Sequence, residues 1–210
     1  MTKTTILLIR HGETDWNVSG RWQGQSDIPL NENGIKQANL LAKRLSSRSI
    51  SALYCSDLIR AAQTASILGH VLGLQPIADA AWRERNGGDF EGLSAEELSK
   101  VATGNPFQIR DKDWAPPGGE TNAQVAARVQ KAFDRIVSNH SGEMIAIVSH
   151  GGAIITLLSL VVGLPAGERA RIWVSRNTGF SIIEIGERGA YLVRLNDETH
   201  LEDEYHKNRE

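Results

Sequence analysis

The chain has 210 residues, 40% of them hydrophobic and 23% charged, with a formal net charge of -2. This is an ordinary composition for one globular domain with a full core. It excludes a strongly basic nucleic-acid binder and a chain drawn to acidic membranes, and no apolar stretch is long enough to span a bilayer.

Met1-Thr2-Lys3-Thr4 runs straight into the apolar stretch Thr5-Ile6-Leu7-Leu8-Ile9. This pattern predicts a buried strand over Thr4–Ile9 with no signal peptide before it. The strand ends in Arg10-His11-Gly12, so it delivers a cation and an imidazole together to one sheet edge, with Gly12 letting the backbone turn away. Residues 13–31 show no clear period and read as a loop. Asn33 is the expected cap of a helix from Gly34 to Ser47, with Ile35, Ala38, Leu41, Ala42 and Leu45 as its inner stripe. Ser51–Cys55 reads as a second short strand, and Ser56 as the cap of a helix that passes Arg60 and Thr64 to Leu72. Cys55 is the single cysteine, which excludes an internal disulfide and suits a reducing cytoplasm.

Pro76-Ile77-Ala78 reads as extended, Ala95–Val101 as helical, and the proline-containing stretch from Asn105 to Glu120 as a mobile cover. A long amphipathic helix is expected over Glu120–Asn139. A strand over Met144–Val148 then leads into Ser149-His150-Gly151-Gly152 and a helix from Gly152 to Val162. Gly179–Ile185 and Ala190–Leu195 read as an antiparallel hairpin. The charged tail from Glu202 to Glu210 reads as a frayed end. Strands alternating with helices predict an α/β chain: a three-layer α/β/α sandwich around a mostly parallel sheet, one domain over residues 1–210. A small helical lid at about 94–121 interrupts the alternation. The apolar late strand is compatible with a monomer or a homodimer.

Two strands that each end in His-Gly suggest one site seen from two sides, because ligands of open α/β sheets bind beyond the carboxyl ends of the strands. The groups expected there are Arg10, His11, Asn17, Arg60, Glu84 and His150. Arginine forks match phosphate oxygens, and the helix starts near Ser56 and Gly151 favour anions. A neutral histidine is a competent nucleophile, and a carboxyl group can act as acid and then as base. This set spells phosphoryl transfer through a phosphohistidine. Each residue alone has a blander reading: a strand-end pair, a core histidine, a surface ion-pair partner, a turn asparagine. His70, His140, His200 and His206 lie outside the pattern and have no metal-ligand spacing, so no zinc site and no cofactor are expected.

Several blocks, in order, resemble the histidine phosphatase superfamily in its phosphoglycerate mutase-like branch. They are Leu8-Ile9-Arg10-His11-Gly12-Glu13-Thr14-Asp15-Trp16-Asn17, the run from Gly24 to Gly34, Tyr54 to Ala65, Trp82-Arg83-Glu84-Arg85-Asn86-Gly87, Gly118-Gly119-Glu120-Thr121, and Val148-Ser149-His150-Gly151-Gly152. The resemblance implies a phosphoglycerate mutase-like fold. It implies that His11 carries the phosphoryl group, that Arg10, Arg60 and His150 bind its oxygens with Asn17 assisting, and that Glu84 is the acid and base. Glu91 is a nearby alternative, but the Arg-Glu-x-x-Gly pattern falls on Glu84. Gln23, Gly24 and Gly151 would lie on the substrate side.

Mutases of this superfamily carry His-Tyr-Gly after the acid, whereas this chain has Arg85-Asn86-Gly87 and then Asp89-Phe90-Glu91-Gly92-Leu93-Ser94. That stretch, and the late run Leu195 to Leu201, resemble the broad-specificity, α-ribazole and metal-independent phosphoserine phosphatases. The expectation is a metal-independent phosphatase of small phosphomonoesters, with neither nucleic acid nor membrane as partner. The alternatives are a 2,3-bisphosphoglycerate-primed phosphoglycerate mutase and an inactive phospho-ligand binding module. Arg21, Arg83 and Arg85 are candidates for the pocket mouth.

Overall fold

The computed structural model describes residues 3–101, 111–172, 174 and 176–202. Six strands form one mixed sheet in the order β3-β2-β4-β1-β5-β6. These are β1 (Thr4–Arg10), β2 (Ala52–Cys55), β3 (Ile77–Ala78), β4 (Met144–Ser149), β5 (Phe180–Gly186) and β6 (Gly189–Asp197). The first four are parallel; β5 runs antiparallel to β1 and forms a hairpin with β6. The helices are α1 (Asp15–Val18), α2 (Glu32–Leu45), α3 (Ile59–Leu72), α4 (Ala95–Val101), α5 (Asn122–Asn139) and α6 (Gly151–Val161).

Alternate residues of β1 face opposite layers, as a pleated strand requires. Ile6 and Leu8 pack with Val125, Val129 and Ile136 of α5 and Ile154 and Leu157 of α6. Leu7 and Ile9 pack with Leu41 and Leu45 of α2 and Ala61 and Leu68 of α3. Burying each such side chain contributes about 1.5–3 kcal/mol, so the central strand is gripped on both sides and its end is a rigid place for chemistry. The sandwich and its mostly parallel sheet are those the sequence predicts.

Local details differ from the sequence reading. Helix α2 starts earlier: Asn31 is its cap and accepts from Gly34 N at 2.8 Å, whereas Asn33 donates to Glu13 Oε1. Ile35 is 44% exposed and lies off the inner stripe. Ser56 does not cap α3; its hydroxyl accepts from Leu58 N, and Asp27 Oδ1 accepts from Ile59 N at the helix start. The 13–31 loop contains α1, closed by a capping box between Thr14 and Asn17. In the lid region α4 forms as expected; residues 102–110, which include the start of the cover predicted over Asn105–Glu120, lie outside the described residues, as does most of the charged tail. Pro117 O accepts from Asp89 N at 2.9 Å, which fastens the described end of that segment to the loop after Glu84.

Candidate active site

The sheet register builds the site. Arg10 of β1 pairs with Ser149 of β4, so the two strands end level and the next residues, His11 and His150, emerge side by side. Their ring centroids are 5.0 Å apart. His11 N donates to Ser149 O at 3.0 Å, which locks the two strand ends together. Gly12 is required by close approach rather than by a left-handed turn, since a Cβ there would lie 2.6 Å from Gly34 O.

Each imidazole has one nitrogen committed to the protein. His11 Nδ1 lies 2.7 Å from Gly12 O, so it carries the proton and donates it, which leaves Nε2 with a free lone pair. His150 is the reverse. Its Nδ1 accepts from Arg60 Nε at 3.1 Å, so its proton sits on Nε2, a buried donor with no hydrogen-bond partner among the described residues. Burial, and then the cations Arg60 and Arg10, hold His11 well below the ordinary 6.5. Burial and Arg60 do the same to His150. The site thus holds two neutral imidazoles, one offering a lone pair and one a hydrogen.

Arg60 is fully buried at the start of α3. It donates to His150 Nδ1, to Ser26 O at 2.7 Å and to Gly24 O at 2.7 Å. A guanidinium has five N–H donors, so two remain for an anion. Burial lowers its pKa to about 10, and it stays charged at neutral pH. Arg10 is close by, with Glu84 opposing the effect of its burial. A Cβ on Gly151 would lie 4.0 Å from both Arg10 Nε and Glu84 Oε2, so Arg10, Glu84 and the start of α6 meet at one point. Glu84 accepts from Arg85 N at 2.8 Å and Gly152 N at 2.9 Å.

The remaining predicted residues surround this centre. Asn17 Oδ1 accepts from Thr14 N and from Asn177 Nδ2, each at 3.1 Å, so its amide nitrogen is the end left for a ligand. Gln23 is nearly buried, with Oε1 accepting from Thr14 Oγ1 at 3.0 Å. Gly24, at φ 51, supplies a carbonyl to Arg60.

Other sequence candidates serve different ends. Glu91 accepts from Gln25 N at 2.7 Å, Ser26 Oγ at 2.6 Å and Gly87 N at 2.9 Å, so it buckles the 23–26 loop to the loop after Glu84. The mouth arginines are engaged: Arg21 with Gly92 O, Arg83 with both oxygens of Asp57, and Arg85 with Glu120 O, Asn122 Oδ1 and Trp114 O. Cys55 is buried, which together with Asp57 pushes its thiol up to about 11. Among the described residues no cluster of three or more His, Cys, Asp or Glu side chains could hold a metal.

Asn177 went unnoticed in the sequence. Its Nδ2 donates to His11 O at 3.0 Å, to Gly12 O at 3.2 Å and to Asn17. The next residue, Thr178, takes φ 64 and donates its N–H to Arg10 O at 3.0 Å. A β-branched residue in that region is strained, and such strain gathers where a site is held in place. Asn177-Thr178-Gly179 reads locally as an ordinary turn, and its target lies some 165 residues away.

The fold is thus an α/β sheet whose strand ends bring together two neutral histidines, a buried arginine fork and a carboxyl group. The chain belongs to the histidine phosphatase superfamily, branch 1, whose family model matches residues 6–198. It is 35% identical over 204 residues, 94% of each chain, to the probable phosphoglycerate mutase GpmB of Yersinia pestis. It is 32% identical to a mycobacterial glucosyl-3-phosphoglycerate phosphatase, with a TM-score of 0.85 over 92% of this chain and 99% of that one. A putative alpha-ribazole-5'-P phosphatase of Escherichia coli is 30% identical, with a TM-score of 0.80 over 92% of this chain and 96% of that one.

Proposed function

We propose that the chain is a metal-independent phosphomonoester hydrolase that works through a phosphohistidine on His11. The observation that carries this reading is the His11 ring, its Nδ1 tied to Gly12 O at 2.7 Å and its Nε2 left as a lone pair among arginines. In the first half-reaction Nε2 attacks phosphorus, the ester P–O bond breaks, and Glu84 gives its proton to the leaving oxygen. In the second, the Glu84 carboxylate takes a proton from water, the water oxygen attacks phosphorus, and the P–N bond breaks to release phosphate and free His11.

Phosphoryl transfer mainly needs positioning and charge stabilisation on the equatorial oxygens. Arg10, the two spare N–H groups of Arg60 and His150 Nε2–H would supply the stabilisation, helped by the Asn17 amide and the N–H of Gly151 at the start of α6. Gln23 and Gly24, on the loop that Arg60 grips, would form the substrate side.

The substrate we favour is a small monophosphate. The engagement of Arg21, Arg83 and Arg85 with protein partners supports this, since a second phosphate would want a free cation at the mouth. The similarity to a probable phosphoglycerate mutase supports a second reading, a mutase primed by 2,3-bisphosphoglycerate. The test is phosphate release in a chelator from phosphoserine, 3-phosphoglycerate, α-ribazole phosphate, glucosyl-3-phosphoglycerate and an aryl phosphate. Release that persists in the chelator and vanishes in His11→Ala supports the hydrolase. No release, with interconversion of phosphoglycerates, supports the mutase, and neither activity leaves a binding module.

A further inference from the structure

Gly118-Gly119-Glu120-Thr121, one of the blocks that carry the family resemblance, has no part in the chemistry above. Its contacts lead to Arg128 of α5 and back to the acid. Arg128 uses all five of its N–H donors on the protein. Nη1 reaches Ala81 O at 2.9 Å and Arg83 O at 2.8 Å. Nη2 reaches Glu84 O and Glu120 Oε2, each at 2.9 Å, and Nε reaches Glu120 Oε1 at 2.9 Å. Glu120 in turn accepts from Asn86 N at 2.9 Å, and its own N–H donates to Asn86 O at 3.0 Å. Gly119 permits that approach, because a Cβ there would lie 2.6 Å from Asn86 O.

One ion pair therefore grips the main chain on both sides of Glu84. The grip matters because this stretch is held chiefly by side chains that bond its backbone, as Gln25 Nε2 also does by donating to Glu84 O at 3.2 Å. The 3-10 turn Ala80–Trp82 ends two residues before Glu84, and only a second short 3-10 turn, Gly88–Phe90, intervenes before α4. Glu84 is also tied to the chain it sits on, since Oε1 accepts from the N–H of Arg85. A shift of the backbone here moves the carboxylate. The ion pair is only about one-fifth exposed, so its geometry is shielded from solvent. With every donor spent, Arg128 has none left for a substrate.

We infer that Arg128, set by Glu120, is a positioning residue for proton transfer by Glu84. The inference rests on the reading of Glu84 as the acid. A guanidinium fork is needed, because an ammonium cannot bind three carbonyls and a carboxylate in one plane. Misplacing a reacting group by about 1 Å can cost roughly 100-fold in rate.

The experiment measures kcat/KM for alkyl, phenyl and nitrophenyl phosphates, a series in which the leaving oxygen needs its proton less and less. The proteins are the native chain, Glu84→Gln, Arg128→Lys, Glu120→Gln and Arg128→Lys/Glu84→Gln, each with its melting temperature. Arg128→Lys keeps the charge and the packing of α5, and Glu120→Gln disturbs the pair from its other end. The expected result is a loss of about 10- to 100-fold on the alkyl ester for both, with less than about 3-fold on the nitrophenyl ester. The Arg128→Lys change should add little once Glu84 is Gln. Equal losses across the series, or a full additional loss in the double variant, would overturn the positioning role while leaving the acid assignment intact. A Glu84→Gln enzyme that loses equally on all three esters would overturn the acid assignment, and this inference with it.

Discussion

The two halves of the site are built by opposite means. The half that holds His11, the proposed nucleophile, sits on regular elements: β1 and β4 end level, α3 presents Arg60, and α6 begins at Gly151. The half that holds Glu84, the proposed acid, sits on irregular chain between the 3-10 turns Ala80–Trp82 and Gly88–Phe90. The first is held by sheet hydrogen bonds and by cores on both faces. The second is held by single side chains: Arg128, Arg85 and Glu91 each bond more than one backbone group, and Glu120 bonds Asn86 N and sets Arg128. Damage to the first should therefore remove the chemistry as a whole. Damage to the second should weaken one step of it or loosen the loops.

Arg60→Lys tests the first half and carries the largest expected effect. It removes the fork that spans Ser26 O, Gly24 O and His150 Nδ1, and kcat/KM should fall by about 100- to 1,000-fold on every ester, whatever its leaving group. A loss confined to alkyl esters would put Arg60 with the acid half and break the comparison. Glu91→Gln tests the second half. It weakens the contacts to Gln25 N, Ser26 Oγ and Gly87 N, so thermal unfolding should show a loss of about 1–3 kcal/mol. The dependence of rate on leaving group should stay native. A steeper dependence in Glu91→Gln would return Glu91 to candidacy as the acid.

Acid should weaken the fold in a defined window. His11, His150 and His200 all titrate below the ordinary 6.5 in the folded chain, His200 at about 4, with burial the main cause for each. Above about pH 6.5 both states leave these rings neutral, so they add no pH dependence. Below it the unfolded chain takes up protons that the folded chain refuses, and stability falls as pH drops from 6.5 toward the folded values. Denaturant melts at pH 7, 6 and 5 would check this; stability that rises over that range as pH falls would contradict the neutral pair. The same shift keeps His11 nucleophilic in mild acid, so the rate should show no fall centred at 6.5 that belongs to His11. The smallest effect is expected at the far end of β1, where Lys3 and Glu184 pair at 2.8 Å beside an open hollow. Lys3→Ala should change stability by less than about 1 kcal/mol in the same melts.

The His11 half was largely legible in the sequence; of the other half, Glu84 was legible as a candidate, while most of the side chains that hold its backbone were not. Apolar runs that end in Arg10-His11-Gly12 and Ser149-His150-Gly151 announce two strands and what they carry. Their register follows from burial of both faces, which a slip of one residue would destroy. The sequence also contained Asn31 and Asn33 at the start of α2, with nothing local to choose between them. Glu13 Oε1 accepts from both side-chain amides, and it is Asn31, whose Oδ1 also accepts from Gly34 N, that caps the helix. Asn177 and Arg128 were missed for a related reason. They act by bonding distant backbone, and no period or spacing reports which carbonyl a side chain will meet after the chain has folded.

The central claim is that phosphoryl passes through His11, and the most direct measurement is to trap it there. Native enzyme would be mixed with phosphorus-labelled substrate, quenched in alkali within milliseconds and digested. The account predicts an acid-labile, alkali-stable label on the peptide that contains His11, turning over at the rate of phosphate release and absent from His11→Ala. Turnover with no label on that peptide, or a label that persists in His11→Ala, would contradict it.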